Sequence, residues 1–452
     1  MILYSWNLSI IYYLNYMATL SPYCAFIPVE EGIALYNYAG QTVIDLVPEL
    51  VSLLMANKET IEEIKQIHPD LYTALNSGNF IENYPNEIYD QLINKMILEF
   101  SSAESFQLTV NPTLACNCNC WYCYENHDNM PLMDENHLSA IKQFISRKLN
   151  SSLNHFHLDF FGGEPLLGFD SIVKPIIEHL KYESKVFSKT YSIGFTTNGT
   201  LLDESRIQYL TSGGTNQPVR FQITLDGSRN AHNATRSTRD GRGTYDLIIQ
   251  NIKSLLQNGA SVMVRFNYTT QNAYTFIDVA SEFDDLTVDE RKRLLFSFHK
   301  VWQSLAKETT NEIIHSMEKT YKSWNYNVED RIIYKGGHCY ADKENCIVIN
   351  YNGDVFKCTA RDFDNKKRIG TLTSDGQIIY NKLYSDVLSY RFGTKECKTC
   401  RLFPICHGNC SQFSYENRFT EGCVLHYSEE DKQSIILKYY NAFCNALKPP
   451  LS

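Results

Sequence analysis

Cysteine spacing is the feature that most constrains this chain of 452 residues, because eleven of its fourteen cysteines fall into two separated groups. Three thiolates leave one iron of a [4Fe–4S] cube without a protein ligand, whereas eight thiolates complete two further cubes. The first group is the C-x3-C-x2-C run of Cys116, Cys120 and Cys123. The second group is Cys339, Cys346, Cys358, Cys397, Cys400, Cys406, Cys410 and Cys423.

Two other uses of cysteine compete with iron–sulfur clusters. A disulfide framework is disfavoured, since such frameworks belong to small secreted domains, and this long chain is 43% hydrophobic. Zinc is the stronger alternative for the second group, because Cys397-x2-Cys400 and Cys406-x3-Cys410 would each suit half of a four-thiolate site. The cysteines outside both groups, for which we expect buried or incidental thiols, are Cys24, Cys118 and Cys444.

Six stretches after residue 104 are rich in β-branched and aromatic residues, with segments long enough for a helix between them. After the first stretch, Asp134 can cap a helix whose apolar residues repeat at helical spacing from Leu138 to Leu149. This alternation predicts an α/β fold with a parallel sheet and right-handed crossovers. The predicted strands are Phe106–Val110, Phe156–Phe161, Tyr191–Thr196, Val219–Leu225, Ser261–Tyr268 and Arg293–His299.

The first cysteine group, with the aromatic Tyr122 just before its last cysteine, resembles the signature of the radical S-adenosylmethionine (SAM) enzymes. The resemblance implies that the six units form the partial (β/α)6 barrel of that family. It also implies a [4Fe–4S] cluster on Cys116, Cys120 and Cys123, with SAM on the open iron. Such an enzyme cleaves SAM reductively to a 5′-deoxyadenosyl radical, which removes a hydrogen atom from the substrate.

Motifs that follow the predicted strands resemble the SAM contacts of this family, at the sheet edge where ligands bind. The GGEP-like turn has glycines that would let backbone carbonyls approach the SAM amino group, although an ordinary Gly/Pro turn is the other interpretation. Thr224-Leu225-Asp226-Gly227, with His232 and Arg236, resembles the S-L-D-G…H…R stretch. The SAM-binding residues implied are Tyr122, Gly162, Gly163, Glu164, Thr224 and Arg236.

Within that set, the resemblance places Thr224 where the family has a ribose-contacting serine, and Arg236 toward the SAM carboxylate. A guanidinium suits such a bidentate contact. The third predicted strand ends in Thr197-Asn198-Gly199, and on the fifth strand we expect Arg265 and Asn267 to point inward. No catalytic residue can be named from the sequence.

The second cysteine group resembles the SPASM domain, which carries two auxiliary [4Fe–4S] clusters, so three clusters are implied in all. Closed clusters can take an electron from a substrate radical, which favours a two-electron oxidation. Within the domain, Asn352-Gly353 lies between apolar-alternating runs and predicts a β-hairpin with a type I′ turn over Ile347–Lys357. The implied ligand sets are Cys339, Cys346, Cys358 and Cys410 for one cluster, and Cys397, Cys400, Cys406 and Cys423 for the other.

Residues 23–100 resemble the winged-helix-like peptide-recognition domain of ribosomal-peptide maturases. Strands are predicted at Ile33–Tyr38 and Thr42–Leu46, and helical segments at Pro48–Met55, Glu59–Ile67 and Leu71–Leu75. Such a domain can bind a leader peptide by adding a strand to a sheet edge. We therefore expect a peptide-modifying radical SAM oxidoreductase that installs a thioether, a carbon bond or a similar oxidative change in a ribosomally made precursor peptide.

Two alternatives stay open. An anaerobic sulfatase-maturating enzyme oxidises a cysteine or serine to formylglycine, but that family has an aspartate directly after the cysteine matching Cys358. Here the following residue is Thr359 and the nearest acid is Asp362. A non-catalytic iron–sulfur binding or scaffold protein is the other alternative, against which every expected thiolate position is filled.

Composition sets the remaining expectations. A net charge of −9, with no Lys or Arg in the first 57 residues, disfavours nucleic acid as a partner. The apolar first 22 residues lack the basic flank of a signal peptide and the unbroken run of a membrane span, and Met17 is an alternative start to Met1. Reduced thiolates predict a cytoplasmic protein served by a flavodoxin- or ferredoxin-type donor. The predicted domains are residues 1–22 (uncertain), 23–100 (peptide recognition), 101–325 (barrel), 326–430 (SPASM) and 431–452 (C-terminal helix or tail).

Overall fold

The computed structural model describes residues 18–30, 32–125, 127, 130–213, 217–304, 308–329, 339–360 and 362–447. The expectations for residues 1–17, including the start at Met17, and for the last five residues lie outside these ranges. The described chain divides into two compact units. The first unit comprises residues 18–101, 339–343 and 386–447, and the second comprises residues 102–329 and 344–385.

Strands are spread over both units. Those of the first unit come before residue 101, and all later strands belong to the second unit. The strands are β1 Thr19–Leu20, β2 Cys24–Val29, β3 Gly32–Asn37, β4 Thr42–Leu46, β5 Ile81–Glu82, β6 Ser105–Asn111, β7 His155–Phe160, β8 Thr190–Thr197, β9 Arg220–Leu225, β10 Ser261–Tyr268, β11 Leu294–Lys300, β12 Asn327–Val328, β13 Cys346–Asn350, β14 Asp354–Phe356, β15 Gly370–Leu372 and β16 Ile378–Tyr380.

Helices alternate with the strands of the second unit and cluster at both ends of the chain in the first. The crossover from β10 to β11 also contains a 3₁₀ helix, Ala273–Phe283. The α-helices are α1 Pro48–Ala56, α2 Glu62–Ile67, α3 Pro69–Ser77, α4 Glu87–Phe100, α5 Glu135–Leu149, α6 Lys174–Val186, α7 Glu204–Thr211, α8 Arg229–Thr235, α9 Tyr245–Gln257, α10 Val288–Lys292, α11 Glu308–Ser323, α12 Lys382–Leu388, α13 Phe403–Cys406, α14 Ser411–Glu416 and α15 Glu429–Leu447. None of the helices in the described ranges is long and apolar enough to cross a membrane.

The six predicted strands are confirmed as β6 to β11, which pair in parallel and in chain order. Alternation along β7 shows why this sheet forms, since Phe156, Leu158 and Phe160 are buried on one face and the residues between them lie on the other. Each buried side chain of this size stabilises the fold by about 1.5–3 kcal/mol. The sheet therefore has the α/β architecture that the sequence predicts.

Helix α5 is the helix predicted from Asp134, and the prediction of its cap is confirmed. The Asp134 side chain accepts a hydrogen bond from the backbone N–H of His137, which is one of the donors left free in the first turn. The residues that α5 buries recur at helical spacing from Ala140 to Leu149, and they join the core formed with β6 and β7. The helix thus covers the apolar face of the sheet.

The barrel sheet continues beyond β6, because β13 pairs with β6 in parallel and β14 to β16 follow in antiparallel order. The hairpin of β13 and β14 confirms the predicted one, but the type I′ turn is wrong. The loop has three residues, and only Gly353 has a positive φ, of 79°. A type I′ turn needs positive φ at both central residues, whereas a three-residue loop needs one.

The N-terminal part of the first unit contains the predicted strands and helices as β3, β4 and α1 to α3. The structure adds β2, which extends the predicted pair to a three-stranded antiparallel sheet with order β2-β3-β4. Tyr36 of β3 packs against Tyr440 and Phe443 of α15, with ring centroids 5.4 and 5.6 Å apart. The C-terminal helix and the N-terminal sheet therefore share one core.

The boundaries of the two units differ from the domains expected from the sequence. Residues 344–385 lie in the second unit, because β13 to β16 extend the barrel sheet. The range 326–430, expected as one cysteine-rich domain, is consequently divided between the units. Sheet pairing over more than 200 residues of sequence cannot be read from local spacing, which explains the difference.

Candidate active site

The loop after β6 carries the first cysteine group at the carboxyl edge of the barrel sheet. Burial raises the pKa of Cys120 to about 11, and the charges of Cys116 and Cys123 contribute to this shift. Burial likewise raises the pKa of Cys123, again with a contribution from Cys116. The Cys123 amide donates to the Cys120 carbonyl at 3.1 Å, so these two cysteines share one turn of the loop. The assignment of the three thiols to one cluster stays a prediction.

Cys118, expected to be a buried or incidental thiol, is buried beside Cys116. A hydrogen bond from the Cys118 side chain lowers the pKa of Cys116 to about 5, with contributions from the Cys118 amide and from the charges of His127 and Arg236, although burial opposes the shift. The Cys118 amide N lies 3.4 Å from the Cys116 sulfur. The Cys118 side chain therefore favours the thiolate form of Cys116, which is the form that binds iron.

The Gly162-Gly163-Glu164-Pro165 turn packs against the start of the cysteine loop. The amides of Gly163 and Glu164 donate to the carbonyls of Thr113 and Ala115, at 3.2 and 2.8 Å. A Cβ built on Gly163 would overlap the carbonyl oxygens of Leu114 and Ala115. The motif needs glycine here so that two backbone segments can approach closely, and this requirement exists whether or not SAM also contacts the turn.

Glu164 is completely buried, and its carboxylate accepts hydrogen bonds from protein groups on two loops. The donors are the Thr197 hydroxyl at 2.8 Å, the Asn198 amide at 2.7 Å and the Leu166 amide at 3.0 Å. Burial raises the pKa of Glu164 to about 7, with the charge of Cys116 contributing. The carboxylate thereby joins the turns that follow β7 and β8, while its predicted contact with SAM stays a prediction.

A buried polar network surrounds the hydroxyl of Tyr122. This hydroxyl donates to Asp226 at 2.8 Å and accepts from Arg236 Nη2 at 2.6 Å and from Asn267 Nδ2 at 3.0 Å. Arg236 Nε donates to Asp226 at 3.1 Å, and Arg265 Nε donates to Asn267 Oδ1 at 2.9 Å. The ends of β9 and β10, the segment after α8 and the cysteine loop are thus joined by hydrogen bonds.

Two of the predicted SAM-binding residues, Arg236 and Thr224, lie in or beside this network. The guanidinium of Arg236, predicted to face the SAM carboxylate, is bound to Asp226 and Tyr122. Thr224 lies on β9 level with Arg265 of β10. Burial raises the pKa of Asp226, although Arg236 and Tyr122 oppose the shift. The predicted contacts therefore converge at one edge of the sheet.

The buried ring of His232 links the turn that carries Asp226 to Thr244 through hydrogen bonds at both ring nitrogens. The amide of Asp226 donates to His232 Nδ1 at 3.2 Å, and His232 Nε2 lies 2.9 Å from the Thr244 hydroxyl, which itself donates to the Arg236 carbonyl. The ring must then carry its proton on Nε2. Burial lowers the pKa of His232 to about 3, so the ring is neutral in the folded protein.

Two side chains that contact the cluster cysteines were not predicted from the sequence to do so. Asn198 donates to the Cys116 sulfur at 3.7 Å and to Asn117 Oδ1 at 2.8 Å. His127 Nε2 lies 3.0 Å from the Cys123 sulfur, and its Nδ1 lies 2.6 Å from the Leu114 carbonyl oxygen. Asn198 belongs to a motif that the sequence did show, whereas nothing in the spacing marks His127.

The cysteines of the second predicted auxiliary set lie together in the first unit. Burial raises the pKa of Cys406 to about 11 and also raises that of Cys397. The charges of Cys400 and Cys423 contribute to both shifts. Gly393 passes so close to the Cys397 sulfur that a Cβ would lie 2.5 Å from it. The Cys400 amide donates to the Cys397 carbonyl at 3.2 Å, and Cys397, Cys400 and Cys406 pack against one apolar core. The assignment of the four thiols to one cluster stays a prediction.

The cysteines of the other auxiliary set are distributed over both units. In the first unit, a hydrogen bond from Cys339 lowers the pKa of Cys410 to about 7. In the second unit, Cys346 is buried on β13 and Cys358 follows β14, where its sulfur accepts from the Ala360 amide at 3.2 Å. The assignment of these four residues to one cluster stays a prediction.

The donor sets fit iron–sulfur clusters in their chemistry, since every predicted ligand is the sulfur of a cysteine and thiolates are the usual ligands of such clusters. Across the ranges that the structure describes, no three His, Cys, Asp or Glu side chains converge as a single metal ion would require. In a cluster each thiolate binds its own iron, so convergence on one point is not needed.

Comparison with known proteins agrees with this chemistry. Residues 110–285 match the Radical SAM superfamily. The chain is 27% identical over 247 residues to the radical SAM cyclopropyl synthase TigE of Paramaledivibacter caminithermalis, which covers 52% of this chain and 48% of that protein. It is 22% identical over 323 residues to the cysteine-type anaerobic sulfatase-maturating enzyme of Clostridium perfringens, covering 65% and 85%. The chain thus spans about half the length of TigE.

Two solved structures share the fold. Native anSMEcpe with bound AdoMet (SAM) and Kp18Cys peptide has a TM-score of 0.58 at 18% identity, covering 76% of this chain and 99% of that one. SuiB of Streptococcus suis bound to SAM has a TM-score of 0.50 at 16% identity, covering 90% and 98%. Residues 110–285 are a radical SAM domain, as the first cysteine group implied.

Proposed function

We propose that this chain is a radical SAM peptide maturase that oxidatively installs a cross-link, such as a thioether or a carbon bond, in a ribosomally made precursor peptide. The observation that carries the proposal is the loop after β6, which offers three thiols within a radical SAM domain. When bound and reduced, a [4Fe–4S] cluster with SAM on its open iron supplies a 5′-deoxyadenosyl radical that removes a hydrogen atom from a substrate C–H bond.

In this proposal Cys116, Cys120 and Cys123 hold the cluster, and the surrounding residues position SAM. Tyr122, Arg236 and Thr224 lie on the cysteine loop, after α8 and on β9. The network that joins the first two keeps the buried charge of Arg236 paired with Asp226. A site whose polar groups already bind one another is rigid, and such rigidity holds reactants in a productive geometry.

The remaining cysteines support an oxidative product. Two sets of four thiols, Cys339, Cys346, Cys358 and Cys410 and Cys397, Cys400, Cys406 and Cys423, are complete for two closed auxiliary clusters. All four cysteines of the second set belong to the first unit. Three clusters, SAM and a flavodoxin- or ferredoxin-type electron donor are therefore part of the proposal.

The three-stranded sheet of the first unit supports a peptide as substrate. Its edge strand β2 contains Pro28, which has no N–H to offer, whereas the edge strand β4 has a full set of backbone donors. A leader peptide can add to such an edge as a further strand. The relative anSMEcpe was solved with a bound peptide, which supports the same substrate class.

Sulfatase maturation is the second candidate, because the Clostridium perfringens enzyme aligns over 85% of its length. Two observations weigh against it. The residue after Cys358 is Thr359, whose carbonyl accepts from the Tyr124 hydroxyl at 2.7 Å. The nearest acid, Asp362, is ion-paired with Lys367.

Mass spectrometry tests the proposal. A candidate precursor, encoded by a short open reading frame beside this gene, is co-expressed with the enzyme and with Cys120→Ala and Cys444→Ala variants. We expect an oxidised precursor, lighter by about two hydrogens per cross-link, with the wild type and Cys444→Ala but not with Cys120→Ala. A peptide with a sulfatase motif tests the second candidate in parallel. Failure to release 5′-deoxyadenosine from reconstituted protein under dithionite would favour a non-catalytic scaffold.

A further inference from the structure

A short hairpin lies against the cysteine loop and contacts its backbone. Residues 237–243, the clip hairpin, pair with themselves through the bridge between Ser237 and Gly243. The hairpin also pairs with the cysteine loop, through an antiparallel bridge between Thr238 and Cys118. The amide of Asn119 donates to the Ser237 carbonyl at 3.0 Å. The clip hairpin therefore adds a strand-like contact to the cysteine loop.

Arg239, in this hairpin, contacts both ends of the cysteine loop. Its amide donates to the Asn117 carbonyl at 3.0 Å, and its Nε donates to the Cys116 carbonyl at 2.9 Å. Its Nη2 donates to the carbonyl of His127 at 3.2 Å. Cys116 is the first cluster cysteine, and the ring of His127 contacts the last one, Cys123. One guanidinium thus bridges two points that are eleven residues apart in the chain.

The cysteine loop is held on its other side by the Gly162-Gly163-Glu164-Pro165 turn, as described above. The turn contacts Thr113 and Ala115, which precede the cysteines. Arg239 reaches beyond them to the His127 carbonyl, and so adds to the contact between the His127 ring and the Leu114 carbonyl. We propose that Arg239 is a positioning residue that clips the two ends of the cysteine loop together and so holds Cys116 and Cys123 in place on the cluster.

Geometry, more than charge, carries this role. The Arg239 side chain is exposed, and solvent screens the field of an exposed charge. A planar guanidinium can donate to two carbonyls in fixed directions, whereas the ammonium of lysine is a point charge on a flexible chain. Closing a loop of this length removes chain entropy that the two hydrogen bonds must offset, so losing them loosens the loop.

The clip hairpin offers a matched control. Arg242 lies three residues further on, with a side chain that is 79% exposed and ion-paired to Asp240. The carbonyl of Arg242 accepts a hydrogen bond from the Thr238 amide at 3.0 Å, and an alanine at position 242 would preserve this backbone contact. Arg242→Ala therefore removes one arginine from the same hairpin without touching the cysteine loop.

Two measurements test the clip, which rests on the proposed cluster site. Amide hydrogen exchange of the peptide covering residues 114–127 is compared in full-length, anaerobically purified Arg239→Ala, Arg239→Lys and Arg242→Ala proteins. Iron loss to a chelator is followed in the same samples, with Cys120→Ala identifying the phase that belongs to the loop cluster. We expect exchange and iron loss about five- to tenfold faster in Arg239→Ala, the factor for one or two lost hydrogen bonds. Arg239→Lys should be intermediate, and Arg242→Ala should match the wild type.

The EPR signal of the reduced loop cluster gives a readout of positioning, since only an open iron responds to SAM. Addition of SAM should change a smaller fraction of the signal in Arg239→Ala than in Arg242→Ala. Equal exchange and equal iron loss in these two variants would overturn the clip. Wild-type protein that binds no loop cluster would instead count against the proposed function, and the exchange measurement would still decide whether Arg239 holds the loop.

Discussion

The two cysteine regions of the molecule are held by different kinds of contact, polar in one and apolar in the other. The cysteine loop of the second unit is held by distant groups, among them Gly163 after β7, Asn198 after β8 and Arg239 in the clip hairpin. The segment from Gly393 to Cys423 folds into short helices and turns within about 30 residues, and its apolar side packs into the core of the first unit, where Phe100 contacts Phe392 and Tyr89 contacts Phe403. The first region is held by polar contacts from several strand ends, whereas the second borders an apolar core that it shares with the rest of the first unit.

This difference agrees with the tasks proposed for the two regions. An open iron needs a neighbourhood that also binds SAM and substrate, so its surroundings must come from several strands. A closed cluster has all four ligands from protein and needs only a fixed cage. The cage here is aromatic and apolar, since Phe403 and Phe392 pack in the core that Cys397, Cys400 and Cys406 border.

The largest expected effect comes from removing one cysteine from each of the two regions and comparing the activities that are lost. Cys120→Ala should reduce 5′-deoxyadenosine formation to background, because the loop cluster loses a ligand. Cys400→Ala should retain that activity but lose the oxidised peptide product. Each variant should lose about four of about twelve irons. The measurement is 5′-deoxyadenosine by liquid chromatography beside an iron assay, and abolition of 5′-deoxyadenosine by both changes would break the comparison.

A second change tests the dependence of the cysteine loop on other strands. Asp226→Ala leaves the buried guanidinium of Arg236 without its carboxylate, and breaking a buried ion pair costs about 3–5 kcal/mol. We expect urea unfolding at a correspondingly lower midpoint and a raised KM for SAM. Asp375→Ala, which removes an exposed ion pair with Arg147, should cost less than about 1 kcal/mol. Similar losses in the two variants would show that the network does not support the loop.

The sequence predicted the barrel well, because its strands follow local rules. Residues such as Phe156, Leu158 and Phe160 alternate with polar ones, and Asp134 stands where a helix cap is needed. Cysteine spacing likewise places Cys116, Cys120 and Cys123 on the loop that follows β6, within the range that matches the Radical SAM superfamily. These features depend on residues that are near one another in the chain.

What could not be predicted depends on contacts between distant segments. The bridge from Cys118 to Thr238 joins residues that are 120 positions apart, and nothing in the spacing marks Arg239 as its neighbour. Cys118 itself gave no signal of its bond to Cys116, because its position falls outside the cluster spacing. The parallel pairing of β13 with β6 divides the expected cysteine-rich domain for the same reason.

A third change compares one glycine in each region. Gly163→Ala would place a Cβ against the carbonyls of Leu114 and Ala115, and Gly393→Ala would place one against the Cys397 sulfur. Overpacking of this kind costs about 1–3 kcal/mol. We expect Gly163→Ala to lower 5′-deoxyadenosine formation about tenfold or more, the factor for 1.4 kcal/mol. Gly393→Ala should lower iron content and leave that activity largely intact, and the reverse pattern would contradict the proposed division of tasks.

The smallest expected effect is a pH dependence confined to the barrel region. His232 is neutral when folded, with a pKa of about 3, whereas the unfolded chain takes up a proton below about pH 6.5. Stability is therefore lost as the pH falls from about 6.5 toward 3, by about 1.4 kcal/mol between pH 7.5 and 5.5. His232→Asn should be less stable at pH 7.5, because the asparagine side chain cannot span from Asp226 to Thr244, yet it should lose less on acidification. Urea unfolding of both proteins at pH 7.5 and 5.5 measures the free energy of unfolding and its loss on acidification. An equal loss in the wild type and in His232→Asn would show that protonation of His232 is not linked to folding.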